Sequence, residues 1–181
     1  MGIGINSNYG QYVFADKAGI KFVVDELTAD KDSRRATIMI LANQHLKVGA
    51  RDVPCTYSLN FRIRKNKLKM SVRMRSQDAI FGMTNDAPCF SFIQECVFNL
   101  VKEQYPELEL GTYTHTADSF HVYDRHYDML NAILNSTPDE FEYVECPRIK
   151  NGDEVRFLMA GQFDNVPEDF LFTKWLLDNE G

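Results

Sequence analysis

Between residues 56 and 64, Tyr57, Leu59, Phe61 and Ile63 alternate with Ser58, Asn60, Arg62 and Arg64, the period of two expected of a strand with one buried face. After the polar turn Lys65-Asn66-Lys67 the alternation resumes, with Leu68, Met70, Val72 and Met74 set against Lys69, Ser71 and Arg73. The two runs predict a β-hairpin, and its second strand leads into the polar tetrapeptide Arg75-Ser76-Gln77-Asp78. Upstream, Ile20, Val23, Val24 and Leu27 recur at helical spacing, and the polar stretch 28–35 leads into a further strand over 36–41. Downstream, Phe90, Ile93, Val97, Leu100 and Val101 fall on one helical stripe and predict a helix over about 87–101 that packs on the sheet. A second helix is expected over 122–134, with Met129, Leu130, Ile133 and Leu134 on its apolar side. A strand over 155–159 and a short amphipathic helix over 170–177 follow. Together these elements predict an α+β fold, a mostly antiparallel or mixed sheet backed by helices.

Composition narrows the field. The chain has 181 residues, 44% of them hydrophobic, and no repeat or Pro/Gly/Ser-rich linker divides it, so a single domain over 1–181 is expected. A formal net charge of -6 gives no basic footprint, which argues against nucleic acid as a direct partner. No apolar run approaches the roughly 20 residues of a transmembrane helix, and the first residues lack the basic start and apolar stretch of a signal peptide. A soluble cytoplasmic protein without a membrane partner is expected. Cys55, Cys89, Cys96 and Cys146 form no CxxC pair and are expected as free thiols, with Cys89 and Cys96 packed inside an apolar helix. His45, His115, His121 and His126 do not combine with them at metal-ligand spacings, so no metal is expected. Neither GxxxxGK[ST] nor GxGxxG occurs.

Cys55 follows Asp-Val-Pro directly before the first hairpin strand, where the proline fixes the approach of the chain. As a single residue it is packing more often than nucleophile. Arg34, Arg35 and Arg75 lie in polar loop or strand-end contexts; each alone is a solvated charge, yet together they suggest a site for an anionic small molecule. His121 and Tyr123 alternate as on one face of an extended segment, fit either for a core pair or for two hydrogen bonds to a hydroxylated ligand. Asp78, Asp86 and Asp118 have no diagnostic mutual spacing.

In chain order, Asn6-Ser-Asn-Tyr-Gly10, Asp32-Ser-Arg-Arg35, Pro54-Cys55, Met74-Arg-Ser-Gln-Asp78, Phe81-Gly82, Asn85-Asp86 and His121-Val-Tyr123 resemble the thymidylate synthase superfamily. Within it they are most similar to the bacteriophage deoxycytidylate (dCMP) hydroxymethylase branch, over about residues 5–130. The resemblance implies that Cys55 adds to C6 of a pyrimidine ring, that C5 then takes a one-carbon unit from 5,10-methylenetetrahydrofolate, and that water traps the resulting methylene. It implies phosphate binding by Arg75 and Ser76, and a homodimer in which Arg34 and Arg35 reach the phosphate of the neighbouring subunit. His121 and Tyr123 match residues that bond the deoxyribose 3'-hydroxyl, Asp78 an aspartate beside the folate ring, and Tyr9 a tyrosine near the nucleophile.

Base choice is expected at Asp86, where synthases carry asparagine. An aspartic acid that accepts at one oxygen and donates from the other suits cytosine, and the implied product is 5-hydroxymethyl-dCMP. The other physical reading of Asp86 is a cap on the helix expected from about Ala87. Three departures from the family pattern stand out: no segment supplying a further phosphate arginine, a core helix and a glutamate ahead of Asn6, no apolar C-terminal tail, and Thr56 where most synthases carry histidine. They keep open two alternatives: dUMP as substrate, whether for hydroxymethylation or thymidylate synthesis, and a non-catalytic nucleotide-binding homologue or one part of a complex.

Overall fold

The structure, a computed structural model, describes residues 7–15, 19–137 and 145–179; Asn6, the first residue of the Asn-Tyr-Gly motif, and the terminal Glu180 and Gly181 lie outside them. The predicted hairpin forms as β2 (Thr56–Arg64) and β3 (Lys67–Met74), antiparallel with Arg64 opposite Lys67. Its turn is the two-residue Lys65-Asn66, both at positive φ (51° and 59°), the geometry that follows the right-handed strand twist. Leu59, Phe61, Ile63, Leu68, Met70, Val72 and Met74 all point into the core. Tyr57 does not share their face. A bulge between Thr56 and Ser58 slips the register, so Thr56 and Ser58 turn inward while Tyr57 is half-exposed.

β1 (Thr37–Met39) pairs antiparallel with β2 and is shorter than the expected 36–41, although bonds from Phe61 N to Ala36 O and from Ile40 N to Tyr57 O continue the ladder at both ends. A strand absent from the sequence reading, β5 (Glu109–Ala117), lies parallel to β3 and makes the sheet mixed, in the order β1-β2-β3-β5. Its sequence, ELGTYTHTA, carries little of the aliphatic alternation that betrays a strand, because its odd positions are only half-buried. Beyond β3, the two-residue β4 (Gln77–Asp78) pairs in parallel with β6 (Phe120–His121).

α1 (Ile20–Ala29) buries Ile20, Val23 and Leu27 beside α2 (Phe81–Lys102), which buries Phe90, Ile93, Cys96, Val97 and Val101. α2 starts at Phe81 rather than near Ala87, with Pro88 inside it. The reason is Asp78: its carboxylate accepts from the backbone N–H of Ile80, Phe81 and Gly82 at 3.0–3.3 Å and so nucleates the helix about two and a half turns ahead of the apolar stripe that begins at Phe90. Asp86 is therefore an interior residue of α2 and does not cap it.

A single tight turn, Asp124–His126, precedes α3 (Tyr127–Asn135), which starts later than the expected 122. No residue of α3 is buried, and the apolar side formed by Met129, Ile133 and Leu134 faces solvent. Where a strand over 155–159 is expected the chain forms α4 (Gly152–Ala160). Asn151 caps it through bonds from Asp153 N and Glu154 N at 3.1 Å, and Gly161 at φ 63° ends it. α5 (Leu171–Asp178) forms close to the predicted place, tied to α4 by the buried Glu154 carboxylate, which accepts from Thr173 N and Oγ1 at 3.0 Å.

Candidate functional site

Cys55 stands just ahead of the β2 bulge, half-buried against the core. Two contacts shape its loop. The hydroxyl oxygen of Tyr9 accepts from both Cys55 N (3.0 Å) and Thr56 N (3.2 Å), while Asp52 accepts from Ser7 N at 3.0 Å and from Ser7 Oγ. From the other side Arg75 donates through Nε to Pro54 O (3.1 Å) and through Nη2 to Val53 O (2.8 Å), and its backbone N–H bonds Cys55 O (2.8 Å). These bonds use two of the five guanidinium N–H groups; the other three make no hydrogen bond among the described residues and could serve an anion. The hydroxyl of Thr56 is buried without a hydrogen-bond partner among the described residues.

The Tyr9 ring stacks towards Phe90 at 6.3 Å and enters a cavity of about 810 Å³, within the range of small-molecule sites, that Asp86 also lines. Its other walls are largely apolar, with Phe92, Phe172 and Trp175 among them. Cys89, expected inside the apolar helix, is instead exposed and opens on this cavity, whereas Cys96 is buried. Asp86 accepts from Gln77 Nε2 at 3.0 Å; burial raises its carboxyl above the ordinary range despite the opposing pull of that bond and of His115. Gln77 Oε1 faces His115 Nε2 at 3.3 Å, and His115 Nδ1 faces the Tyr113 hydroxyl at 2.5 Å.

The β4–β6 pairing sets His121 opposite Asp78, and the His121 and Tyr123 rings meet edge-on at 5.0 Å. Burial pushes the Asp78 carboxyl up, but the three backbone N–H bonds from Phe81, Ile80 and Gly82 outweigh it and hold the group below its usual range. Asp78 is thus committed to the helix start. Ser76 follows Arg75 at the end of β3, half-buried.

Arg34 and Arg35 are not brought to this site. Ala36 lies opposite Phe61, so the arginines sit roughly 20 Å along β2 from Cys55 at a strand rise of about 3.3 Å per residue. Both are exposed, and Arg35 pairs with Glu26 at 2.8 Å. Sequence reasoning missed the parts of Gln77, Tyr113 and His115. The available signal was the two-residue spacing of Tyr113 and His115, which becomes informative once β5 is known to be a strand. Among the described residues no three His, Cys, Asp or Glu are grouped to hold a metal ion, and no helix is long and apolar enough to cross a membrane.

A family model for thymidylate synthase matches residues 8–168. The deoxycytidylate 5-hydroxymethyltransferase of Enterobacteria phage T6 is 30% identical over 136 residues, 70% of this chain and 55% of that protein. The deoxyuridylate hydroxymethyltransferase of Delftia phage PhiW-14 is 30% identical over 147 residues, 75% of this chain and 40% of that one. In three dimensions, thermostable thymidylate synthase A from Bacillus subtilis superposes with a TM-score of 0.59 at 25% identity, over 75% of this chain and 47% of the other. The chain spans about half the length of the relatives it matches.

Proposed function

The chain belongs to the thymidylate synthase family, and on that premise we propose that it transfers a one-carbon unit to C5 of a pyrimidine deoxynucleoside monophosphate, converting dCMP to 5-hydroxymethyl-dCMP. The observation that carries the choice of base is Asp86. Burial keeps its carboxyl protonated to higher pH than usual, and a carboxylic acid offers one accepting and one donating oxygen. Cytosine presents an amino donor at N4 beside an acceptor at N3, which such a group matches, whereas uracil presents the reverse order.

The Cys55 sulfur adds to C6 as nucleophile, which turns C5 into the carbon that attacks. Arg75, anchored on the loop that carries the thiol, offers its remaining N–H groups to the phosphate together with Ser76. Tyr9 holds the Cys55 and Thr56 amides, and His121 with Tyr123 receives the sugar hydroxyl. The one-carbon donor is 5,10-methylenetetrahydrofolate, which when bound supplies carbon at the oxidation level of formaldehyde. The cavity of about 810 Å³ walled by Phe92, Phe172 and Trp175, which Tyr9 and Asp86 also line, is the place for its flat ring system, while Asp78 acts by holding the start of the helix that carries Asp86. The working form is a homodimer in which the exposed Arg34 and Arg35 serve the phosphate of the second copy, since within one chain they lie too far from Cys55 to do so.

The test is incubation of the protein with dCMP and 5,10-methylenetetrahydrofolate, followed by mass analysis of the nucleotide. A product heavier by one hydroxymethyl group, absent with Cys55→Ala although that variant still binds dCMP, is the expected outcome. Nucleotide binding without product from the wild type would instead favour a binding role without turnover.

A further inference from the structure

Tyr113, His115 and Gln77 have no part in the transfer as described, yet they form one hydrogen-bonded line that ends on Asp86. The direction of every bond in it follows from chemistry. The Gln77 amide nitrogen donates to Asp86 Oδ2, so its oxygen faces the imidazole; that oxygen carries no hydrogen, so His115 donates through Nε2. A neutral imidazole protonated at Nε2 presents Nδ1 as an acceptor, and the Tyr113 hydroxyl therefore donates to it. Burial lowers the pKa of His115 and raises that of Tyr113, which keeps both neutral as this arrangement needs.

The line is built into the fold at both ends. Gln77 is 2% exposed, and a Cβ at Gly82 would come within 2.8 Å of its Nε2, so the first turn of α2 leaves the gap through which the amide passes. Tyr113 and His115 project from the same side of β5, and the Phe90 ring packs 6.2 Å from His115.

We propose that Tyr113, His115 and Gln77 are positioning residues that fix Asp86 Oδ2 as the accepting oxygen and leave the carboxyl proton to Oδ1, so that the relay, and not Asp86 alone, selects the pyrimidine. This rests on the reading that Asp86 meets the base. The physical ground is symmetry. A carboxylic acid whose proton is free to sit on either oxygen can present donor and acceptor in either order, and so matches uracil as readily as cytosine. Discrimination appears only when one oxygen is compelled to accept, because the wrong base then leaves buried polar groups unpaired.

The experiment compares dCMP and dUMP dissociation constants, by calorimetry, for the wild type, Tyr113→Phe and Gln77→Leu, alongside nitrogen-15 NMR of the His115 ring. The wild type should prefer dCMP and show His115 protonated at Nε2. Tyr113→Phe should lower the dCMP:dUMP preference about tenfold and Gln77→Leu about a hundredfold, chiefly by raising dUMP affinity, with dCMP affinity little changed. A merely structural part would weaken both nucleotides by one factor; that result, or a ring protonated at Nδ1, would overturn the relay. Wild type that binds neither nucleotide, or both alike, would overturn the reading of Asp86 on which the relay rests.

Discussion

Asp86 stands where opposing influences meet. Burial drives its carboxyl up, while the Gln77 amide and the His115 ring pull it down, and burial prevails. Tyr113 and His115 face it from β5, Gln77 from β4, and Cys89 from its own helix, a thiol likewise raised by burial. If, as proposed, the acid form binds cytosine, dCMP affinity is complete below the Asp86 pKa and falls as pH rises through it, by about tenfold per pH unit. Calorimetric titrations run upward from the ordinary carboxylate range measure this limb. Asp86→Asn should abolish this limb, because an amide does not titrate there. Cys55, Arg75 and Asp86 were legible as candidates because they are chemically distinctive residues in a recognisable order. Their supporting groups were not, because the residue before a helix and the residues of an unrecognised strand carry no local mark of the contacts they make.

Among elements, legibility tracked how completely one face is buried. β2 and β3 were plain because seven of their apolar side chains are sealed in the core, whereas β5 shows only partial burial and escaped notice. α4 was mistaken for a strand because five residues of a helix buried only in part give no clear period; its Asn151 cap and Gly161 stop were the better signals. α3 had the right period, but none of its residues is buried against the described residues, so periodicity alone misjudged its burial. The bulge between Leu68 and Met70 is held by Gln94, whose buried amide reaches Leu68 O (3.0 Å), Gly111 O (3.3 Å) and Thr112 O (3.4 Å). Gln94→Leu keeps the volume but strands carbonyls at the β3–β5 seam, and is expected to cost about 1–3 kcal/mol in urea unfolding. Asn151→Ala should cost about 1 kcal/mol by the same measurement, through loss of the α4 cap.

For the molecule as a whole, the -6 net charge hides a division in which one arginine anchors the loop that carries Cys55 and two others stand at the far end of the sheet. If Arg34 and Arg35 complete a second copy's site, then mixing Cys55→Ala with an Arg34→Ala/Arg35→Ala double variant, each inactive alone, should restore about a quarter of wild-type turnover. Half the dimers would be mixed, and each would hold one intact site. The clamp formed by Tyr9 reaches further than the site. One phenolic oxygen receives the amides of two successive residues 46 and 47 positions downstream, so the hydrogen-exchange lifetimes of those amides are set by a side chain remote in sequence. Tyr9→Phe should make the Cys55 and Thr56 amides exchange together and fast while the Phe61 amide in the same strand stays slow. That pair becomes a clock for how often the segment bearing Tyr9 lifts away from Cys55.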